Sequence, residues 1–372
     1  MDFANLIGLA ASGEGAAATS ASDATTSDTY TDFVTYLERR RPQIEAFLVN
    51  AAPMPESLTD PQAFDLLGYL YEPMNSFTTG GGKRTRPALC LLGAEAVGAD
   101  PICALSTAAA IEFFQSAALI HDDIADKSEM RRGVPCLHKS QGTGIAVNAG
   151  DLALVSVNAL LLGDPSLDDT RCLQLLCEIT YMEQRTLEGQ ALDLGWVRDG
   201  RWDLTVDDYL FMASHKTAHY TAATPLACGA ICGGGSEEQI EGLRSFGLDA
   251  GLAFQIQDDL LNLVGDAEKQ GKDFRSDITE GKRTMIALHA LTHLEGVDRA
   301  ELQELLCAQT ADEAKLARAV ELMEQAGSIA FARAKADELV RSAKAHLAAI
   351  EIVDKVRETL ISMADFFVER RG

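Results

Sequence analysis

A chain of 372 residues that is 47% apolar carries material for one large core or two ordinary ones. Its 56 acidic residues against 32 basic ones leave a net charge of −24, which excludes a broad basic face for nucleic acid and makes the placement of the few cations informative. Eight cysteines without one CxxC pair argue against a disulfide framework or a zinc site, and for small core residues in a reducing, cytoplasmic setting.

Residues 1–29 include the small, polar, unpatterned run "GLAASGEGAAATSASDATTSDT" and are expected to form a disordered tail. The opening "MDFANLIGLAASG" lacks the basic n-region of a signal peptide. From Thr31 onward the periodicity is helical nearly everywhere. "DFVTYLERRRPQIEAFL" sets Phe33, Leu37, Ile44 and Phe47 among charges, and 174–194 and 311–350 repeat the pattern. Glycine-rich punctuation falls near residues 80, 198, 234 and 270, alternating β-type runs are almost absent, and no run of 18 uninterrupted apolar residues marks a membrane span. The expectation is an all-α fold, a single domain over 30–372.

Acids interrupt the apolar pattern twice. In "LIHDDIADKSEMRRG", Asp122 and Asp126 are four residues apart and share a helix face. Burying an unpaired carboxylate is costly, so the apolar helix before them calls for cations, and Arg131 and Arg132 follow. A solvated patch at a helix end would explain this motif on its own. A second stretch, "GLAFQIQDDLLNLVGD", places Asp258 and Asp259 together, with Asn262 at i+4 from Asp258. Two such helices would offer oxygen ligands suited to Mg²⁺, which usually shares its shell with substrate phosphate. The scarce cations gather in the same places: Lys83, Arg84 and Arg86 in "GGGKRTRP", Lys216 in "ASHKTAHY", Lys272 and Lys282 in "GKDFRSDITEGKRT". Arginine suits bidentate phosphate contacts and lysine point-charge contacts. Other patterns fail. "TTGGGKRT" has Phe77 where a phosphate-binding glycine loop needs its first glycine, and "GTGIAV" has Val147 where the dinucleotide fingerprint needs its last. His215 and His219 read as polar pocket lining rather than a zinc pair, because no HExxH accompanies them.

In this order "GGKRTRP", "DDIAD…RRG", "GD" at 150–151, "KT" at 216–217, "FQIQDD" and "GKDFRSDITEGKRT" resemble the trans-polyprenyl diphosphate synthases, class I isoprenoid synthases that include geranylgeranyl and farnesyl diphosphate synthases. The resemblance covers nearly all of the chain after the tail. It implies an isoprenoid synthase fold, a helical bundle around a deep central pocket, usually as a homodimer. It also implies Mg²⁺ and two substrates: isopentenyl diphosphate and an allylic primer (dimethylallyl, geranyl or farnesyl diphosphate). Position by position, Asp122, Asp126 and Asp258 match metal ligands, with Asp123 and Asp259 as supporting acids. Lys83, Arg86, Gln115 and Arg132 match the isopentenyl diphosphate site. Arg131, Lys216, Thr217, Gln255, Lys272 and Lys282 match the surroundings of the allylic diphosphate. Three positions depart from the family pattern: Asn262 replaces a third aspartate, Gln115 stands where histidine is common, and Arg275 where glycine is common. Bulky residues four and five positions before the first aspartate close the pocket early in such enzymes. Here those positions are Ala118 and Ala117, and the next obstacle is Phe114, which points to a C20 product. Two alternatives stay open: a terpene cyclase of the same fold, and a non-catalytic subunit of a heteromeric synthase.

Overall fold

The computed structural model describes residues 33–265 and 274–369; the expected tail over 1–29 and Lys272 lie outside the described residues. The all-α expectation holds. Among the described residues the only sheet is one hairpin of two-residue strands. The chain divides into two compact units.

The first unit holds the described residues up to Ile179, with Pro225–Ile240 and Ile352–Thr359. It begins with α1 (Phe33–Ala51), α2 (Ala63–Leu66), a π-helical turn (Leu67–Tyr71) and α3 (Glu72–Thr79). Next come α4 (Thr85–Ala96), a 3₁₀ turn (Pro101–Ala104) and α5 (Leu105–Ala125). The hairpin joins β1 (Met130–Arg131) to β2 (Val134–Pro135), and α6 (Leu137–Ser140), α7 (Thr143–Leu162) and the start of α8 (Asp169–Arg198) follow. Helix α5 is the spine of this unit, because alanines and large apolar residues alternate around it and let neighbours approach from several sides. It runs antiparallel to α7. Ser106 Oγ donates to the Leu160 carbonyl at 3.2 Å at one end, and the His121 ring lies 3.4 Å from the Val147 carbonyl at the other. A side chain at Gly150 would strike the His121 ring, so glycine sets this approach. Two helices, Pro101–Ala125 and Thr143–Leu162, are long and apolar enough to cross a membrane by length and composition. The first is mostly buried, whereas α7 leaves Val147, Val155 and Leu162 exposed. All eight cysteines are free; Cys90, Cys136, Cys228 and Cys232 are buried, while Cys177 and Cys307 are exposed.

The second unit comprises Thr180–Thr224, Glu241–Glu351 and the residues from Leu360 onward. It contains α9 (Val206–Ala213), a π-helical segment (Ser214–Ala223) and most of α11 (Glu237–Val264), which is reached through α10 (Thr224–Cys232). Thr205 and Asp208 cap α9 reciprocally: the Asp208 N–H donates to Thr205 Oγ1 at 3.2 Å and the Thr205 N–H to Asp208 Oδ2 at 2.8 Å. Gly247 and Gly251 lie four apart on α11, and a Cβ at either would enter the backbone of Ala222 or Ala218. The π segment and α11 therefore touch nearly backbone to backbone. Short α12 (Ser276–Glu280), then α13 (Met285–His293), α14 (Gly296–Cys307), α15 (Glu313–Gln325), α16 (Ser328–Ala348) and α17 (Asp354–Glu369) complete the chain.

Candidate active site

In the first unit, α5 carries the first acid motif on its last turn. Asp122 and Asp126 are half-buried, whereas Asp123 is buried. The hairpin then returns the chain so that Arg131 donates through Nε and Nη2 to Asp123 Oδ1, at 2.8 and 2.6 Å. Burial alone would lower the Arg131 guanidinium, but hydrogen bonding and charge from Asp123 outweigh it and raise the pKa. The other oxygen, Asp123 Oδ2, is buried without a hydrogen bond. Burial, and then the charge of Asp123, push the Cys136 thiol up to about 11.

The hairpin has a two-residue turn, Arg132–Gly133, with positive φ at both positions (51° and 81°), as a type I′ turn requires. Arg132 thereby leaves the side occupied by Arg131 and donates to the Gly81 carbonyl, with its guanidinium 5.9 Å from the Phe77 ring centre. This contact draws the hairpin to the glycine loop that precedes α4. Gln115 makes a separate link, between α5 and α4. With its amide oriented as its neighbours require, its NH₂ donates to Glu112 Oε2 at 3.1 Å and its oxygen accepts from Arg86 Nη1 at 3.0 Å. Arg84 is buried and pairs with Glu112 at 2.5 Å. Lys83 is exposed on the same loop. Burial pulls the Arg132 guanidinium below its ordinary range; Glu112 opposes this, while Arg84, Arg131 and Arg86 add to it, which reflects how closely the cations are gathered. The structure thus brings Arg132 to the glycine loop and Gln115 to Arg86 in the first turn of the helix that follows it.

The second unit holds the rest of the candidate residues. Lys216 and Thr217 ride on the π segment, a local widening that often marks functional positions. Lys216 Nζ donates to Asp193 Oδ2 of α8 at 2.5 Å, and Gly189, one turn before Asp193, leaves room for the Lys216 backbone. On α11, Asp258 is half-buried and Asp259 buried. Asp259 accepts from the Tyr209 hydroxyl at 2.7 Å and from Gln255 Nε2 at 2.8 Å. Burial, then the charge of Asp277, hold the Asp259 carboxyl well above its ordinary range. Asp277 is raised as well, by burial, with Lys282 at 3.5 Å pulling it back. Asn262 ties down the chain that follows: its Nδ2 donates to Ser276 Oγ at 3.1 Å and its Oδ1 accepts the Asp277 N–H at 3.3 Å. The departure at Arg275 has a backbone meaning, because its φ of 62° is a left-handed conformation that glycine adopts without cost. Burial lowers the His219 pKa to about 4, and the ring meets Tyr181 edge-on at 5.5 Å.

Four partners were not foreseen: Glu112, Asp193, Tyr209 and Asp277. Only Glu112 carried a local signal, as the single acid of α5 ahead of Asp122. Asp122 and Asp126 on one helix, and Asp258 on another, present hard oxygen donors. Among the described residues no three His, Cys, Asp or Glu side chains converge into a ready-made cage. Within each unit such carboxylates suit Mg²⁺, which takes one or two carboxylates and completes its shell with water and phosphate oxygens.

The sequence profile of the polyprenyl synthetase family matches residues 68–323. A short chain isoprenyl diphosphate synthase from Methanothermobacter thermautotrophicus is 41% identical over 292 residues, covering 78% of this chain and 87% of that protein. A geranylfarnesyl diphosphate synthase from Natronomonas pharaonis is 38% identical over 318 residues, covering 81% and 90%. The crystal structure of a geranylgeranyl pyrophosphate synthase from Corynebacterium glutamicum, complexed with isoprenyl diphosphate and magnesium, superposes with a TM-score of 0.80 at 29% identity, covering 91% of this chain and all of that one. All three are prenyl diphosphate synthases, and the cyclase alternative finds no support among them. The chain belongs to the polyprenyl synthetase family, has its all-α isoprenoid synthase fold, and is a trans-prenyltransferase.

Proposed function

We propose that this chain condenses isopentenyl diphosphate with an allylic diphosphate, in a Mg²⁺-dependent reaction, to make mainly geranylgeranyl diphosphate. Residues 30–372 serve as one catalytic domain. The observation that carries this reading is the convergence of three separate motifs in the first unit: Arg132 on Gly81, Gln115 on Arg86, and Arg131 on Asp123. A cyclase has no second diphosphate to hold and no use for that cradle. Asp122 and Asp126 in the first unit, and Asp258 in the second, would hold Mg²⁺, which would supply Lewis-acid neutralisation of the diphosphate leaving group. Arg131, aimed by Asp123, and Lys216, aimed by Asp193, donate to the leaving oxygens as the allylic C–O bond breaks. Thr217, Gln255, Lys272 and Lys282 complete the surroundings of that diphosphate. Lys83, Arg86, Gln115 and Arg132 hold isopentenyl diphosphate so that its double bond meets the allylic carbon. The departing diphosphate takes the final proton, so no side-chain base is needed.

Product length rests on α5. Phe114 and Ala118 share a helix face one turn apart. Ala118 is half-exposed and Phe114 is nearly buried, which supports an opening at Ala118 floored by Phe114; Ala117 is fully buried beside them. One further isoprene unit would gain up to about 4 kcal/mol of burial, so the space above the floor is filled. A second copy of the chain is the partner. Exposed Val155 and Leu162 on α7, and exposed Leu173 and Leu187 on α8, give each helix an apolar stripe suited to it. The test is chromatography of products made from labelled isopentenyl diphosphate, Mg²⁺ and each of dimethylallyl, geranyl and farnesyl diphosphate. A C20 product is expected, lengthened by Phe114→Ala and shortened by Ala118→Phe. An unchanged product from Phe114→Ala removes Phe114 as the floor, and no consumption of isopentenyl diphosphate by the purified chain favours the partner-subunit reading.

A further inference from the structure

We propose that Glu112 is a positioning residue for isopentenyl diphosphate, acting through both of its oxygens on two different arms of the cradle. The proposal rests on reading Lys83, Arg86, Gln115 and Arg132 as that cradle. Oε1 takes the Arg84 guanidinium at 2.5 Å, with the two side chains 1% and 3% exposed. That pair anchors the loop from inside. Arg84 is held in a left-handed conformation (φ 54°), and Gly82 sits at φ 143°, where a Cβ would come within 3.4 Å of Arg132 Nη2 and 3.7 Å of Arg84 Nη1. The loop backbone therefore has little freedom once Arg84 is buried.

Oε2 takes the Gln115 NH₂ at 3.1 Å, which leaves the Gln115 oxygen facing Arg86 Nη1 at 3.0 Å. Turned round, this amide would set donor against donor at Arg86 and acceptor against acceptor at Glu112. Glu112 thus holds the Gln115 amide from its far end, fixing the position from which its oxygen meets Arg86. Charge is balanced in the same arrangement. Glu112 pairs with Arg84 at 2.5 Å and Glu45 lies 3.9 Å from the Arg84 Nε, so the charge of this buried guanidinium, whose burial would otherwise be prohibitive, is balanced by acids. Arg84 Nε and Nη2 are buried without hydrogen bonds. A pair serving packing alone would be worse than an apolar one of the same shape.

The test is steady-state kinetics of Glu112→Gln against each substrate, with thermal unfolding measured alongside. The KM for isopentenyl diphosphate should rise on the order of tenfold, with the allylic KM unchanged and kcat within about twofold. The double variant Glu112→Gln with Arg84→Met removes the stranded buried charge and should recover thermal stability while keeping the raised KM. It also carries the test if the single variant fails to fold. The inference is overturned if Glu112→Gln leaves the KM for isopentenyl diphosphate unchanged, raises both KM values alike, or is restored to normal KM by Arg84→Met. Arg132→Ala tests the cradle separately from Glu112. If it raises that KM while Glu112→Gln does not, only the role of Glu112 falls; if it has no effect, the cradle itself is wrong and Glu112 falls with it.

Discussion

In the first acid motif the buried member, Asp123, holds the cation Arg131; in the second, the buried member, Asp259, holds the neutral groups Tyr209 and Gln255. The outer members match, since Asp122 and Asp258 are both half-buried. Successive residues on a helix point about 100° apart, so each pair sends one acid outward and one inward. The same two letters therefore build different devices. In the first unit the inner acid aims a charge; in the second it fastens helix α9 to helix α11. Asn262 follows the same division, since it lies where a third acid is common and its amide secures Ser276 and Asp277 instead.

The comparison breaks most visibly at the outer acids. Asp122→Ala should cost on the order of 10³-fold in rate, about 4 kcal/mol of transition-state stabilisation, with the fold intact. Near-normal turnover, or full activity in excess EDTA, would remove the metal from the mechanism. The inner acids should then separate. Asp123→Asn leaves Arg131 without its anionic partner and should slow turnover on the order of 10²-fold while thermal unfolding shifts little. Tyr209→Phe takes one hydrogen bond from a buried carboxyl group and should show the reverse pattern: about 2 kcal/mol of stability lost, with less than about a tenfold change in kcat. If both variants lose rate and stability in the same proportion, the two motifs are equivalent devices after all.

The smallest effect concerns the backbone. Arg275, at φ 62°, has its guanidinium 4.7 Å from the Phe274 ring centre. Arg275→Gly and Arg275→Ala lose that contact equally, but only glycine relieves the left-handed conformation. The glycine variant should be the more stable of the two by about 1 kcal/mol in denaturant unfolding. Equal stability would mean that the turn carries no strain.

Much of this molecule was legible locally and little of it over long range. The helical period of 311–350 and the i, i+4 spacing of Asp122 and Asp126 are properties of neighbouring residues, and the structure bears out helices there. The hairpin at 130–135 was not legible, because strands of two residues have no alternation to detect. Tyr209 and Asp259 are fifty residues apart, and nothing local marks them as partners. Lys216 and Arg131 were identified as cations for phosphate, but the acids that aim them differ in visibility. Asp123 stands beside Asp122, whereas Asp193 lies in another helix. The odd residue at 275 was visible as a departure, yet its meaning lay in a dihedral angle.

The two-residue turn at Arg132–Gly133 has a further consequence. Its adjoining arginines are assigned to different tasks by parity alone: Arg131 to Asp123, Arg132 to the Gly81 carbonyl. A ladder only two rungs long has no slack to absorb a change of length. Inserting one residue between Arg132 and Gly133 would alter no charge, yet it would change the turn that aims Arg132 at the Gly81 carbonyl. Such a variant would keep every functional side chain and still confuse which arginine belongs to which task. At this point of the chain the number of residues matters as much as their identity.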